Sequence, residues 1–415
     1  MKIVERVARV DQSKCVGCKN CERHCPTDAI KVTPGVMPGY VPPCGTACPA
    51  GTDVQGYIAL AGAGRYEDAY RLIRQSNPFP SVCGRICNHP CQAACNRNDL
   101  DESVGIRDIK RFVADKAFEN GMPVVEKKRK SNGKKIAVIG AGPSGLSCAY
   151  YLQLSGYSVE VFESESVAGG VLAYGIPEYR LPKAVLNRDI QAIEATGVQI
   201  HLNTTVGEDV SFDELYKKFH AVYVSTGTQL SRKANIPGED MPGVYHGLDF
   251  LKAVNLGKPV EIGKKVAVIG GGNTAIDAAR TARRLGAEVT IVYRRQRNDM
   301  PCEERELLEA FEEGVRVLDL AAPVEVVGEG KVQGLKCVRM VPGVKDEKLR
   351  RSTTKTEEEF VVEVDNIIVA VSQYSDFPFI NKDEVVVSKA GRIAVSYTHP
   401  PSPRDRQKSR MPSSA

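Results

Sequence analysis

Twice in this chain a short apolar strand pattern runs straight into a glycine-rich turn and then into a helix pattern. The first copy is Lys135-Ile-Ala-Val-Ile139 followed by Gly140-Ala-Gly142-Pro143-Ser-Gly145. The second, about 130 residues on, is Lys265-Val-Ala-Val-Ile269 followed by Gly270-Gly-Gly272-Asn273-Thr274-Ala275. An unbroken apolar, β-branched run reads as a parallel strand buried on both faces. A glycine triplet directly after it gives a tight turn, room for a pyrophosphate against the backbone, and close packing of helix on strand. Two such units in one chain demand an α/β fold. We expect two Rossmann-like dinucleotide-binding domains, one inserted in the other.

In the first unit Gly140 makes the turn, Gly142 admits the pyrophosphate, and Gly145 packs the helix Leu146 to Ser155 on the strand. The helix N-terminus supplies N–H donors and dipole for phosphates. A second strand, Ser158 to Phe162, ends at Glu163, an acid placed to bind ribose hydroxyls. The second unit repeats this plan with a helix from Ile276 to Leu285 and a strand from Glu288 to Tyr293. It ends on Arg294-Arg295 instead of an acid. A carboxylate accepts from a free 2′-hydroxyl, whereas arginine pairs with a 2′-phosphate, so this end favours NADP(H) over NAD(H). The alternative reading of the two arginines is a solvated turn.

The 415 residues, 42% of them hydrophobic, are enough for two to four domains with their own cores. No apolar run reaches the roughly 18–20 residues needed to span a bilayer. Met1 to Arg6 is charged early and has no apolar stretch behind it, so we expect no signal peptide and a cytoplasmic protein. The net charge of +5 is too mild to argue for nucleic acid, and +3 of it sits in residues 396–415. The basic run Lys127 to Lys130, with Lys134 and Lys135, reads as a solvated linker over 127–133.

Ten of the 13 cysteines precede residue 96. Cytosolic thiols stay reduced, so metal clusters explain them better than disulfides. Cys15-Val-Gly-Cys18-Lys-Asn-Cys21-Glu-Arg-His-Cys25-Pro26 is a C-x2-C-x2-C-x3-C-P run, which wraps three thiolates around one iron–sulfur cube. With only one such run, Cys25 either folds back onto its own cube or ligates something else. Its flanks resemble half of a bacterial-type ferredoxin, giving a ferredoxin-like segment over 1–35. Cys44, Cys48, Cys83, Cys87, Cys91 and Cys95 follow, with helical spacing from Thr52 to Gln75 and again from Ser103 to Glu119. On the second stretch Ile106, Ile109, Phe112, Val113 and Ala117 share one face. Cys148, Cys302 and Cys337 read as small buried hydrophobes.

Pro43-Cys44-Gly-Thr-Ala-Cys48-Pro, Asn77-Pro-Phe-Pro with Val82-Cys83-Gly-Arg-Ile-Cys87, and Arg107-Asp-Ile-Lys110-Arg-Phe112 resemble a helical iron–sulfur domain. That domain opens the NADPH-dependent glutamate synthase small-subunit family, dihydropyrimidine dehydrogenase and the large subunit of ferredoxin:NADP transhydrogenases. The resemblance implies one [4Fe-4S] cluster on Cys48, Cys87 and Cys91, and Cys44 and Cys95 serving another. Two departures stand out: the C-x2-C pair expected upstream of Cys44 is missing, and Lys110 replaces a polar or acidic side chain that can complete a cluster. Two clusters in the whole chain are expected, with three as the upper count.

Further on, Ala168-Gly-Gly170-Val-Leu172, Tyr174 to Lys183, Thr226-Gly227 and Ile236 to Asp240 are similar to the FAD side of the same family. Tyr293-Arg-Arg with Asp299-Met-Pro301 is similar to its NADPH side. The resemblance thus implies FAD at the first loop and NADP(H) at the second. The implied layout is a helical iron–sulfur domain over 40–126, an FAD domain over 134–262 and 364–395, and an NAD(P)H domain over 263–363. The chain is expected to return to the flavin sheet near Val364 to Val371. Residues 396–415 lack periodicity and read as a disordered, non-native tail, back-translating in part onto sequencing-adapter ends, so the FAD domain is expected to be incomplete.

The implied activity is an oxidoreductase passing electrons from NADPH through FAD to clusters and a redox partner protein: a glutamate synthase large subunit, a ferredoxin or another oxidoreductase subunit. No side-chain acid or nucleophile is required, so no catalytic residue is named. A bifurcating transhydrogenase subunit and a non-catalytic electron-transfer scaffold are the alternatives.

Overall fold

The computed structural model describes residues 42–121, 128–345 and 351–380. The ferredoxin-type run with Cys15, Cys18, Cys21 and Cys25, and the segment 396–415, lie outside the described residues.

The first module is a cluster of short helices: α1 (Pro43–Ala47), α2 (Val54–Gly62), α3 (Tyr66–Arg74), α4 (Pro80–Ile86), α5 (Pro90–Ala93) and α6 (Ile106–Glu119). Proline opens α1, α4 and α5, where its missing N–H costs nothing. The single helical run expected from Thr52 to Gln75 is two helices. Gly64 takes a left-handed φ of +73° between them, which ends α2 and turns the chain back. Tyr57, Tyr70 and Ile73 form the module's core with Ile106, Val113 and Ala117 of α6. The apolar face expected on α6 is rotated. Lys110 lies in the buried stripe, while Phe112 is 45% exposed and meets Tyr66 edge-on.

The second module carries β1 (Lys135–Ile139), α7 (Pro143–Leu154), β2 (Ser158–Phe162), α8 (Val171–Tyr174), α9 (Lys183–Glu194), β3 (Gln199–His201), α10 (Phe212–Lys218) and β4 (Ala221–Val224). Its four strands are parallel in the order β3-β2-β1-β4. Leu146, Tyr150, Leu186 and Ile190 of α7 and α9 cover one face, and Leu215 and Phe219 pack on the other. Phe79 and Val82 of the helical module belong to the first of these cores, so the two modules share a hydrophobic interior.

A two-stranded ribbon, β5 (Leu230–Ser231) with β14 (Gln373–Tyr374), joins this module to the third. The third module contains β6 (Val244–His246), α11 (Gly247–Asn255), β7 (Lys265–Ile269), α12 (Asn273–Arg284), β8 (Glu288–Val292), α13 (Glu304–Glu312), β9 (Arg316–Leu318) and β13 (Asn366–Val369). The parallel order is β6-β13-β7-β8-β9. Helices α11, α12 and α13 cover one face. An antiparallel sheet of β10 (Ala321–Val327), β11 (Gly334–Lys345) and β12 (Arg351–Glu363) covers the other.

Two expected boundaries change. Residues Val244 to Asn255 belong to the third module, not to the flavin module. Asn366–Val369 does not rejoin the flavin sheet: Ile367 pairs with Ala267 and with Val244, between β7 and the edge strand β6 of the third module's sheet. Pattern alone cannot say which of two parallel sheets a buried strand joins, since both offer the same apolar neighbours. The return comes later, where Phe379 packs on Phe212 at 5.9 Å and against Gly207. No helix among the described residues is long and apolar enough to cross a membrane.

Candidate cofactor-binding sites

At the end of β1 the turn is fixed by contacts only glycine tolerates. Gly140 has φ +99°, and a Cβ there would stand 2.5 Å from the Ser225 carbonyl oxygen. A Cβ on Gly145 would stand 2.0 Å from the Gly140 oxygen. Gly142 differs: a Cβ would meet nothing, leaving open space at the start of α7, with Pro143 as its first residue. Gly170 backs onto this loop, its Cβ position 2.9 Å from Gly142 Cα, and Leu172 is buried behind it. Glu163 is buried, its Oε2 accepting from the Ala141 N–H at 2.7 Å. Gly140, Glu163 and Thr226 line a cavity of about 150 Å³ with Thr204, Gln229 and Phe379. Thr226 Oγ1 is buried without a hydrogen-bond partner among the described residues. An open glycine at a helix start, a buried ribose-type acid and an orphaned hydroxyl fit a dinucleotide. Gly227, with φ +73°, is exposed and outside the cavity wall. Phe379, more than 200 residues downstream of the loop, carried no signal in the sequence.

The second loop repeats this geometry. Gly270 has φ +141° and lies against the Ala370 carbonyl, and Gly272 again faces open space at the start of α12. Ala275 is fully buried behind Gly270. A cavity of about 620 Å³ is lined by Gly270, Gly272, Thr274, Arg294 and Arg295, and by Lys233 and Lys355, which the sequence reading missed. Asn273 is not in the wall; its Oδ1 accepts from the Glu303 N–H at 2.8 Å and holds the start of α13. Lys233 is paired with Asp240.

In the helical module Cys48 and Cys87 sit just past the ends of α1 and α4, and Cys91 lies in α5. His89, with φ +39°, makes the turn between Cys87 and Cys91, and its N–H donates to the Cys87 Sγ at 3.4 Å. Burial, then the nearby thiols of Cys91, Cys48, Cys44 and Cys87, push the Tyr57 hydroxyl up, and that hydroxyl donates to the Ile106 carbonyl at 3.0 Å. Burial opposes ionisation of Cys48, but the backbone N–H groups of Thr52 and Ala50, with Lys110, hold it below its ordinary value. Burial pushes Cys91 up, with Lys110 pulling the other way. Cys83 is pushed up by burial to about 11 and donates to Asn77 Oδ1 at 3.7 Å. Cys44 and Cys95 line an apolar cavity of about 410 Å³, and burial pushes the Cys44 thiol up. Cys48 and Cys87 are near enough to Cys91 for their charges to raise it, and three such thiols, one accepting an N–H bond, have the donor chemistry of an iron–sulfur cube. Among the described residues no group of three or more His, Cys, Asp or Glu side chains is arranged to hold a metal ion. All nine described cysteines are free thiols; Cys337 is buried, and Cys148 and Cys302 are partly exposed.

The pyridine nucleotide-disulphide oxidoreductase family matches residues 134–399, more than half of the chain. The chain belongs to that family. Ahead of that match, residues 37–122 match dihydropyrimidine dehydrogenase domain II, 4Fe-4S cluster, and residues 8–31 a 4Fe-4S binding domain. This member is 43% identical over 351 residues to the NADPH-Fe(3+) oxidoreductase subunit beta of Geobacter sulfurreducens, covering 82% of this chain and 52% of that one. It therefore spans about half the length of that relative. It is 38% identical to the glutamate synthase [NADPH] small chain of Escherichia coli, covering 85% of this chain and 78% of that one. The chain shares the fold of Mycobacterium tuberculosis FprA in complex with NADPH, with a TM-score of 0.54 at 23% identity over 65% of this chain and 77% of FprA. The two curated relatives are named as a subunit and a small chain of larger enzymes.

Proposed function

We propose that this chain is an NADPH-dependent oxidoreductase subunit that moves electrons from NADPH, through FAD, to [4Fe-4S] clusters and then to a partner protein. When bound, the nicotinamide supplies a hydride, the flavin splits its electron pair, and the clusters carry single electrons. The protein's own residues bind and orient. Gly142 and Gly272 leave room for the two pyrophosphates, Glu163 and Thr226 face the flavin-side cavity, and Arg294 and Arg295 face the other. Cys48, Cys87 and Cys91 hold one cluster, Cys44 and Cys95 contribute to another, and Cys15, Cys18, Cys21 and Cys25 hold the ferredoxin-type one.

The observation that carries this reading is the fusion of the thiol module to the flavin module. Asp189 of α9 is fully buried and accepts the Ser81 and Val82 N–H groups of α4 at 3.0 and 3.1 Å. Phe79 and Val82 pack in the flavin module's core. Such a contact holds clusters at a fixed distance from a flavin, which single-electron transfer requires and a loosely tethered scaffold does not.

The partner is a redox protein: a glutamate synthase-type large subunit, or a ferredoxin or other oxidoreductase subunit. The free thiols suit a reducing cytoplasm. The test is anaerobic purification with iron, sulfide and flavin analysis, followed by NADPH-driven reduction of a one-electron dye. Dye reduction with stoichiometric flavin and iron supports the reading; a chain that binds neither sinks it.

A further inference from the structure

We propose that Lys355, on β12, is a specificity-determining residue that joins Arg294 and Arg295 in holding the 2′-phosphate of NADP(H). The inference rests on the reading of the large cavity as an NADP(H) site and adds a contact that no glycine-loop motif contains.

Lys355 lies far from the arginine pair in sequence, and the fold brings it back by a short chain of backbone contacts. The Leu320 N–H donates to the Arg295 carbonyl at 3.1 Å, and the Met340 N–H donates to the Leu320 carbonyl at 2.8 Å. Met340 of β11 is the register partner of Lys355 of β12. Arg295 is also tied to β12 itself, its Nε donating to the Arg351 carbonyl at 2.8 Å. Arg351 in turn meets Asp299 Oδ2 at 3.1 Å, and the Asp299 carbonyl accepts the Tyr293 hydroxyl at 2.8 Å. The strand carrying Lys355 is thus braced against the segment carrying the arginines.

Charge separates these residues from their neighbours. Elsewhere on the same sheet cations are matched: Lys336 with Glu359 at 2.6 Å, and Arg339 with Glu358 at 3.4 Å. Arg294, Arg295 and Lys355 line one cavity, and none forms an ion pair among the described residues. The local ladder explains how Lys355 avoids the acidic run Glu357 to Glu359. Val338 faces Glu359 and Met340 faces Lys355, so β12 spends extra residues between them in a bulge. Bulges re-aim side chains beside binding sites. Three unmatched cations around one cavity repel one another until an anion sits among them. A phosphate monoester carries about −1.5 to −2 charges at pH 7 and three acceptor oxygens, which suits two guanidinium forks and one ammonium. The pyrophosphate belongs at the other end, on the Gly270 to Gly272 loop.

The experiment measures calorimetric binding of 2′,5′-ADP and 5′-ADP to the full chain, to Lys355→Gln and to Lys355→Arg. Lys355 is exposed, so both variants should melt as the parent does. The proposal expects Lys355→Gln to weaken 2′,5′-ADP about fivefold, the scale of ~1 kcal/mol for an exposed ion pair, and to leave 5′-ADP unchanged. Lys355→Arg should restore most of the loss. An unchanged 2′,5′-ADP affinity, or equal weakening of both ligands, overturns the proposal. A parent chain that binds both ligands alike overturns the NADP(H) reading itself, which is a separate outcome.

Discussion

Arg180 of the flavin module places its Nη1 2.8 and 2.7 Å from the two carboxylate oxygens of Asp277, on the helix that opens at the second glycine loop. Both side chains are almost fully buried. Arg180 Nε is also 3.0 Å from Glu306, and Arg280 ties Glu306 to Glu313. This ion network spans the two dinucleotide modules and sets how their loops face each other. Arg180→Met strands the buried Asp277 carboxylate, which should cost about 3–5 kcal/mol. The double variant Arg180→Met with Asp277→Leu should recover part of that loss. Denaturant melts of the three proteins check this.

Glycines at the two loops should respond differently to the same change. At Gly142 and Gly272 an alanine finds open space, so Gly142→Ala and Gly272→Ala should fold normally while crowding the dinucleotide. Gly145→Ala drives a methyl onto the Gly140 carbonyl and should destabilise the module. The check pairs flavin content with melting temperature: Gly142→Ala loses flavin at an unchanged apo melting temperature, and Gly145→Ala lowers both.

Burial pushes Asp189 up to about 7, against hydrogen bonds from Ser81 and Val82 that favour its anion. A carboxyl raised in the folded state binds a proton that the unfolded chain has released. Its contribution is therefore full below about pH 4 and is lost as the pH rises through about 7. Asp189→Asn keeps an acceptor and should flatten that loss. Asp189→Ala leaves two buried N–H groups unpaired and should cost about 1–3 kcal/mol. Stability of the three proteins measured at acid and at mildly alkaline pH tests the sign.

Lys110 is buried beside Cys48, Cys83 and Cys91, its ammonium 5.8 Å from the Tyr57 ring centre, and it forms no ion pair among the described residues. Its charge favours the more negative, reduced form of a cluster on those thiols. Lys110→Met should lower that cluster's midpoint potential, measured by a redox titration followed by electron paramagnetic resonance. An unchanged potential contradicts this role.

Much of the fold was legible from local chemistry. Strands β1, β2 and β7 match the sequence reading residue for residue, because buried parallel strands are marked by unbroken β-branched runs and by the glycine turn after them. Helices α7 and α12 begin about three residues earlier than expected, since the turn residues already adopt helical backbone. What stayed hidden depends on distant pairing. Nothing near Asn366 says which parallel sheet it enters. Arg180 and Asp277 lie 97 residues apart. Lys355 reaches its cavity only through the register of β11 and β12, and Lys110 becomes visible as a buried cation only once α6 is packed.

Reducing equivalents that enter at the Gly270 loop are expected to reach the thiol module through the flavin. The most direct test is an anaerobic NADPH titration of the purified chain, followed at once by flavin absorbance and by low-temperature electron paramagnetic resonance. Flavin bleaching and the growth of reduced-cluster signals are expected. Gly272→Val should abolish both with NADPH, while dithionite still reduces the clusters. Cluster signals that grow in Gly272→Val as in the parent, or flavin bleaching in the parent with no cluster signal at any NADPH excess, would contradict it.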